Sequence, residues 1–293
     1  RLGMLADAWG ATWTGAPWYA FNDLHAVMAL AGAGRIDDGI RFLRERETHW
    51  GSGNLFTVHN WWHMALYQLE AGQTDEVLAI YDREIHNESS APIALELLDA
   101  SALLWRLHLD DVDCGDRLGM LADAWGATWT GAPWYAFNDL HAVMALAGAG
   151  RIDDAEVVID RMDAWLAVGT GANVAMTARI GLPASRAVVA FAEDRYEEVL
   201  DALLPIRRQL HHFGGSHAQR DALQRTLLEA ALRGGHPDLA RALSSERLAV
   251  RDTSVYSWVQ RARALTALGD AAGAAAAQRT AAIHQSRFAA TAR

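Results

Sequence analysis

The chain has 293 residues, of which 51% are hydrophobic, 21% are charged and six are proline, the composition of an ordered, helix-rich protein. A formal net charge of −10 argues against nucleic acid or an anionic membrane as the main partner. No apolar run of about 18 residues reads as a membrane span.

Residues 1–38 recur letter for letter as residues 117–154. Drift erodes duplicated sequence, so a perfect copy of this length is either very recent or made by hand. It marks the chain as a repeat protein. The chain opens at Arg1, inside a helical pattern, as a fragment or a rearranged chain does, and no signal-peptide pattern precedes it.

A weaker period lies beneath the copy. Asn22-Asp23-Leu24-His25 aligns with Asn60-Trp61-Trp62-His63 and with Asn138-Asp139-Leu140-His141. In each, a glycine falls nine residues after the histidine: Gly34, Gly72 and Gly150. Four poorer matches complete the series: LLDASALLWRLHL (97–109), LPASRAVVAFAEDR (182–195), DALQRTLLEAALRGG (221–235) and SVYSWVQRARALTALGD (254–270). Each unit reads as helix, turn, helix. Leu24, Val27, Met28 and Ala31 follow the i, i+3, i+4, i+7 spacing of a buried helical face. Glycine supplies the left-handed C-cap, and an acidic residue opens the second helix, where the helix dipole favours it. Cys114, the single cysteine, excludes a disulfide framework and suits a reducing cytoplasm. The Ala-rich stretch Ala271–Ala282 reads as the last helix, with 271–293 capping the stack. The expected fold is all-α: one domain over 1–293, an α-solenoid of about seven tetratricopeptide-like hairpins wound into a right-handed superhelix with a concave face.

Four motifs occur in order: VHNWWHMALYQLEAGQTDEVLAIYD (58–82), LELLDASALLWRL (95–107), FNDLHAVMAL (137–146) and GGSHAQRD (214–221). Together they resemble the tetratricopeptide repeat protein 38 family of bacteria and animals, from about residue 39 to the C-terminus. The resemblance implies the helical-repeat fold and adds little about function. Family members carry a His-containing helix of different sequence ahead of the HNWWH unit, and here the copy of 117–154 takes its place.

Several residues are candidates for chemistry. His59 and His63, one helical turn apart, have the spacing of two metal ligands. The glutamate of an H-E-x-x-H motif is absent, so neither metal nor cofactor is expected, and hydrogen bonding inside a Trp-rich interior is the simpler role. Asn22, His25, Asn60, His63, Asn138 and His141 form a ladder along the first helices, suited either to a polar ligand or to bridging neighbouring helices. Asp23 and Asp139 fall on another face. Glu96 and Asp99 sit three apart in an apolar helix, where an acid needs a partner such as arginine or an imidazole. Ser216 reads as an N-cap in GGSHAQRD, and Gly-Gly-Ser with Arg220 resembles an anion-binding helix start. His217, Gln219, Arg220 and Asp221 are candidate ligand contacts, although His217 and Asp221 at i, i+4 also fit a solvated ion pair. Trp50, Trp61 and Trp62 suit either an aromatic box or groove filling between repeats.

These residues point first to a binding protein presenting a His/Asn/Trp-lined concave face to a peptide or small polar ligand. Asn60, Trp62, His63, Asn138, His141, His217, Gln219, Arg220 and Asp221 are the expected contacts. An enclosed enzyme site using His59, His63, His141, Glu96 and Asp99 in hydrolytic or acid/base chemistry is the alternative. A further alternative is an engineered repeat protein. Identical units also permit homo-oligomers by stacking or swapping.

Overall fold

The computed structural model of the chain describes Met4, Asp7, residues 26–30, 33–128, 133 and 135–292. Asn22, Asp23, Leu24 and His25, and the tryptophans at 9, 13, 18, 129 and 134, lie outside the described residues. Among the described residues every regular element is helical and no strand occurs, so the protein is all-α. After a helical segment over 26–30 come α1 (Ile36–Glu45), α2 (Glu47–Trp50), α3 (Thr57–Glu70) and α4 (Thr74–Ile80), the last continuing as a π-turn over Tyr81–Ile85. Next are α5 (Ala94–Leu109), α6 (Arg117–Thr128), α7 (Ala136–Gly148) and α8 (Ile152–Val168). The chain continues through α9 (Ala172–Met176), a π-turn at Thr177–Gly181, α10 (Leu182–Ala192) and α11 (Tyr196–Leu203). It ends with α12 (His217–Arg233), α13 (Pro237–Val250), α14 (Val255–Ala267) and α15 (Ala271–Ala292).

One turn chemistry repeats along the chain. Among the described residues, Gly34, Gly72, Asp111, Gly150, Asp194, Gly235 and Gly269 each hold a left-handed backbone, with φ from 55° to 79°. The N–H of the following residue donates to the carbonyl five residues back, as from Arg35 to Leu30, Val112 to Leu107, Arg195 to Ala190 and Asp270 to Leu265, at 2.8–3.0 Å. This is the Schellman closure, which satisfies carbonyls that the helix end leaves open. Glycine adopts that backbone without strain, and aspartate is among the few other residues that tolerate it. Acidic residues occupy the first turn of the helix that follows, including Asp37, Asp75, Asp153 and Glu197. Arg35–Asp38 and Arg151–Asp154 clasp two of these starts at 2.6 and 2.7 Å, and Arg195 pairs with Glu198 in the same way.

The chain forms two compact units. One comprises residues 1–85 with 237–293, the other 86–236. In the first, α3 packs on α4, α14 on α13, and α15 on α14. An open solenoid brings together only neighbouring repeats. Here α15 also packs against α1 and α3. Both Nε and Nη2 of Arg287 donate to Asp37 Oδ2, at 3.1 and 2.6 Å, and Thr253 Oγ1 donates to the Gly34 carbonyl at 3.3 Å. The Tyr67 hydroxyl donates to the Val27 carbonyl at 2.9 Å, and its ring fills the space that a Cβ at Gly39 would need.

In the second unit α7 packs on α5, α6, α8 and α10, while α12 packs on α5, α10 and α11. Leu97, Leu103, Leu104, Val143, Val188 and Leu228 are fully buried between them. The tryptophans stitch neighbouring helices together. Trp105 Nε1 donates to Thr226 Oγ1 at 2.9 Å, joining α5 to α12, and Trp125 Nε1 donates to Ser101 Oγ at 2.8 Å, joining α6 to α5. Each side chain therefore buries a large apolar surface and still satisfies its one donor. Residues Ala172–Ala192 depart from the expectation that no segment is long and apolar enough to cross a membrane. By length and composition this helical run of 21 residues qualifies, and 61% of its apolar 18-residue window is buried. Its packing against α7, α8 and α11 is that of a core helix.

Candidate functional site

The HNWWH helix, α3, lies in the first unit. Trp62 is fully buried, and Trp50 and Trp61 meet edge to face at 4.8 Å. Trp50 Nε1 donates to the Leu43 carbonyl (2.9 Å) and Trp61 Nε1 to the Gly51 carbonyl (3.2 Å). The three rings are built into the core, the groove-filling arrangement. His59 stacks on Trp62 at 5.3 Å and meets His63 edge to face at 4.8 Å. Asn60 and His63 are buried on the same helix. Among the described residues no group of three His, Cys, Asp or Glu side chains is placed to hold a metal ion.

The second unit gathers the other candidates. Asp99 on α5, His141 on α7 and Gln219 on α12 are all buried, as is Arg106 on α5. Gln219 Nε2 donates to Asp99 Oδ1 at 3.2 Å. Its Oε1 accepts from the Ser216 N–H at 2.8 Å, while Ser216 Oγ accepts from the Gln219 N–H at 3.2 Å. This capping box fixes the start of α12 and, with it, the amide that holds Asp99. The Arg106 guanidinium donates to the carbonyls of Ala102 (2.5 Å) and Ala218. Glu96, one turn before Asp99, is half-buried; desolvation and then the Asp99 charge raise its pKa.

His141 Nδ1 lies 2.7 Å from the Phe137 carbonyl, one turn back on α7. A carbonyl can only accept, so Nδ1 carries the hydrogen and Nε2 keeps a lone pair. That lone pair is buried and meets no hydrogen-bond partner among the described residues. Burial lowers the imidazole pKa from 6.5 to about 4, and Arg106 acts in the same direction. The Phe137 carbonyl and Asp99 oppose it without reversing it. Near neutral pH His141 is therefore a neutral hydrogen-bond acceptor. A general base works best with a pKa near the operating pH, so this environment disfavours proton abstraction by His141.

The glycines of GGSHAQRD serve packing. Gly214 and Gly215 have φ of +87° and +68°; a Cβ on the first would overlap the Tyr135 hydroxyl and on the second the Phe137 ring. Arg220 Nη1 donates to the carbonyls of both glycines, which occupies the cation expected to attract an anion. Desolvation lowers the Arg220 pKa. His217 is exposed, with Nδ1 3.4 Å from Arg220 Nη2, and Asp221 pairs with Arg225 at 2.9 Å. Asn138 is half-buried and Asp139 is buried on α7. Cys114 is buried, and desolvation raises its thiol to about 11, which leaves it protonated and unreactive near neutral pH.

The cluster thus joins Asp99, His141 and Gln219, which the sequence singled out, to Arg106, which it did not. An arginine seven residues after an acid on an otherwise apolar helix was the available signal. No protein-family model matches the chain.

Proposed function

We propose that this chain is a tetratricopeptide-like binding protein whose hairpins follow a right-handed superhelical path and present first-helix polar groups to a small polar ligand or peptide. The observation that carries this reading is the buried Asp99–Gln219–Arg106–His141 cluster. Its members come from the first helices of three hairpins, far apart in sequence, which is how helical-repeat proteins assemble binding faces. The recurrent turn with one left-handed residue supports the repeat relationship, and the motif order supports kinship with the tetratricopeptide repeat protein 38 family. The single, unreactive cysteine supports a cytoplasmic setting. The two identical segments form matching contacts, with Arg35 on Asp7 and Asp38 and Arg151 on Asp123 and Asp154. That supports exchange of these segments between chains, to be read by sedimentation at rising concentration.

The test is a thermal-shift screen of the full chain against peptides and small polar molecules. A stabilising compound should lose its effect in Gln219→Ala and keep it in His59→Ala. A screen without hits, or hits unaffected by Gln219→Ala, contradicts the reading.

A further inference from the structure

The polar cluster of the second unit is unbalanced in hydrogen-bonding capacity. Arg106 donates to the Ala102 and Ala218 carbonyls, Gln219 donates to Asp99, and Arg220 donates to the Gly214 and Gly215 carbonyls. The donors are engaged, whereas His141 Nε2 is an acceptor with neither solvent nor a donor among the described residues. Its ring edge is fixed, because Nδ1 is tied to its own helix at Phe137 and Nε2 faces away from that carbonyl. A buried unsatisfied acceptor is costly and calls for a specific reason.

The surroundings define what can supply the hydrogen. The imidazole lies 4.4 Å from the Phe137 ring, which meets Phe213 edge to face at 5.2 Å, with Tyr135 beyond at 6.4 Å. The imidazole therefore sits beside an aromatic cluster. Close by, Asp99 and Arg106 carry opposite charges and are both buried. A ligand with a net charge would disturb that balance in a poorly solvated place, and a charge is far more costly to bury than a hydroxyl.

We propose that His141 Nε2 accepts a hydrogen bond from the hydroxyl of an uncharged ligand with an apolar or aromatic body, a phenol or a comparable alcohol, seated against Phe137 and Phe213. This rests on the binding reading above and names the ligand class for that same cluster. A site built to pair with a hydroxyl discriminates strongly against the analogue that lacks it.

The experiment uses the full chain with 15N-labelled histidines and phenol as the probe. The Nε2 resonance of His141 is assigned by its loss in His141→Phe. Saturating phenol should move that resonance, with Nδ1 remaining the protonated nitrogen. Anisole, with the same body and no donor, should bind at least about tenfold more weakly. Benzoate and benzylammonium should leave Nε2 unmoved. His141→Phe should weaken phenol binding at least about tenfold, and His141→Gln, which keeps an acceptor, should retain most of it. Equal affinity for phenol and anisole, or an Nε2 resonance unmoved by saturating phenol, overturns the inference and leaves a buried water as the donor. If phenol fails while other compounds stabilise the chain in a Gln219-dependent way, the ligand class is wrong and the binding reading stands. If neither occurs, both fall.

Discussion

The two units use similar first-helix residues to different ends. In the first, Asn60, Trp61, Trp62 and His63 on α3 are drawn into an aromatic core, where Trp50 and Trp61 spend their indole N–H groups on backbone carbonyls. In the second, α5, α7 and α12 bring Asp99, His141 and Gln219 together beside His141 Nε2, which, like Asn60 Nδ2 in the first unit, is buried without a hydrogen-bond partner among the described residues. The two tryptophans of the most conspicuous motif of the sequence, HNWWH, are packed into the core. One of the poorer repeat matches, residues 97–109, supplies two charged members of the candidate site, Asp99 and Arg106. A repeat constrains the residues that stack hairpins, and departures from it are where other demands show.

The contrast is sharpest in stability. Trp62→Ala empties a fully buried site and should cost about 3–5 kcal/mol in denaturant unfolding. His141→Phe removes an unsatisfied acceptor and should be nearly neutral or slightly stabilising. If His141→Phe were as damaging as Trp62→Ala, the imidazole would be structural and the contrast would collapse.

Acid should weaken the second unit through the same residue. His141 has a folded pKa lowered to about 4 against 6.5 when unfolded, so its contribution is complete above 6.5. As the pH falls from 6.5 towards 4, the unfolded chain takes up a proton that the folded chain refuses. About 3 kcal/mol is then lost. Burial lowers His108 and His86 in the same direction, which steepens the loss. Unfolding free energies across that window should flatten measurably in His141→Phe. An unchanged slope would contradict the assignment.

The turns offer a smaller test that spans both units. Gly72→Ala and Gly150→Ala force a left-handed backbone on alanine and should cost about 1–2 kcal/mol each. Gly72 should sit at the upper end, because a Cβ there also meets the Gln285 side chain. Asp111→Gly should change stability by less than about 1 kcal/mol, since glycine relieves the backbone while the 3.0 Å pairing with Arg233 is lost. Similarly small, Arg287→Ala removes an exposed arginine from its pair with the partly buried Asp37 and should cost about 1 kcal/mol.

Much of the helical fold was legible because its signals are local. Apolar spacing placed the first helices, glycine marked five of the seven described turns, and acids marked several of the second helices. Asp111 and Asp194 escaped as turn residues because aspartate signals a left-handed backbone far less clearly than glycine. The packing of α15 on α1 and α3 is set by contacts such as Arg287–Asp37, 250 residues apart, which no local pattern encodes. At the site, Asp99, His141 and Gln219 stood out as polar residues in apolar or glycine-marked settings. Arg106 looked like an ordinary helical arginine, and only the approach of α12 turns it inward on the Ala218 carbonyl. Asp221, which shares a helix face with His217, is paired with Arg225, equally spaced on its other side, and i, i+4 spacing alone does not choose between the two.

The measurement that bears most directly on the central claim is a high-resolution crystal structure of the full chain, read at His141 Nε2. A non-protein donor is expected within hydrogen-bond distance of Nε2, with Nδ1 still on the Phe137 carbonyl and Gln219 still on Asp99. A protein side chain donating to Nε2, or an imidazole turned so that Nε2 meets the carbonyl, would contradict it.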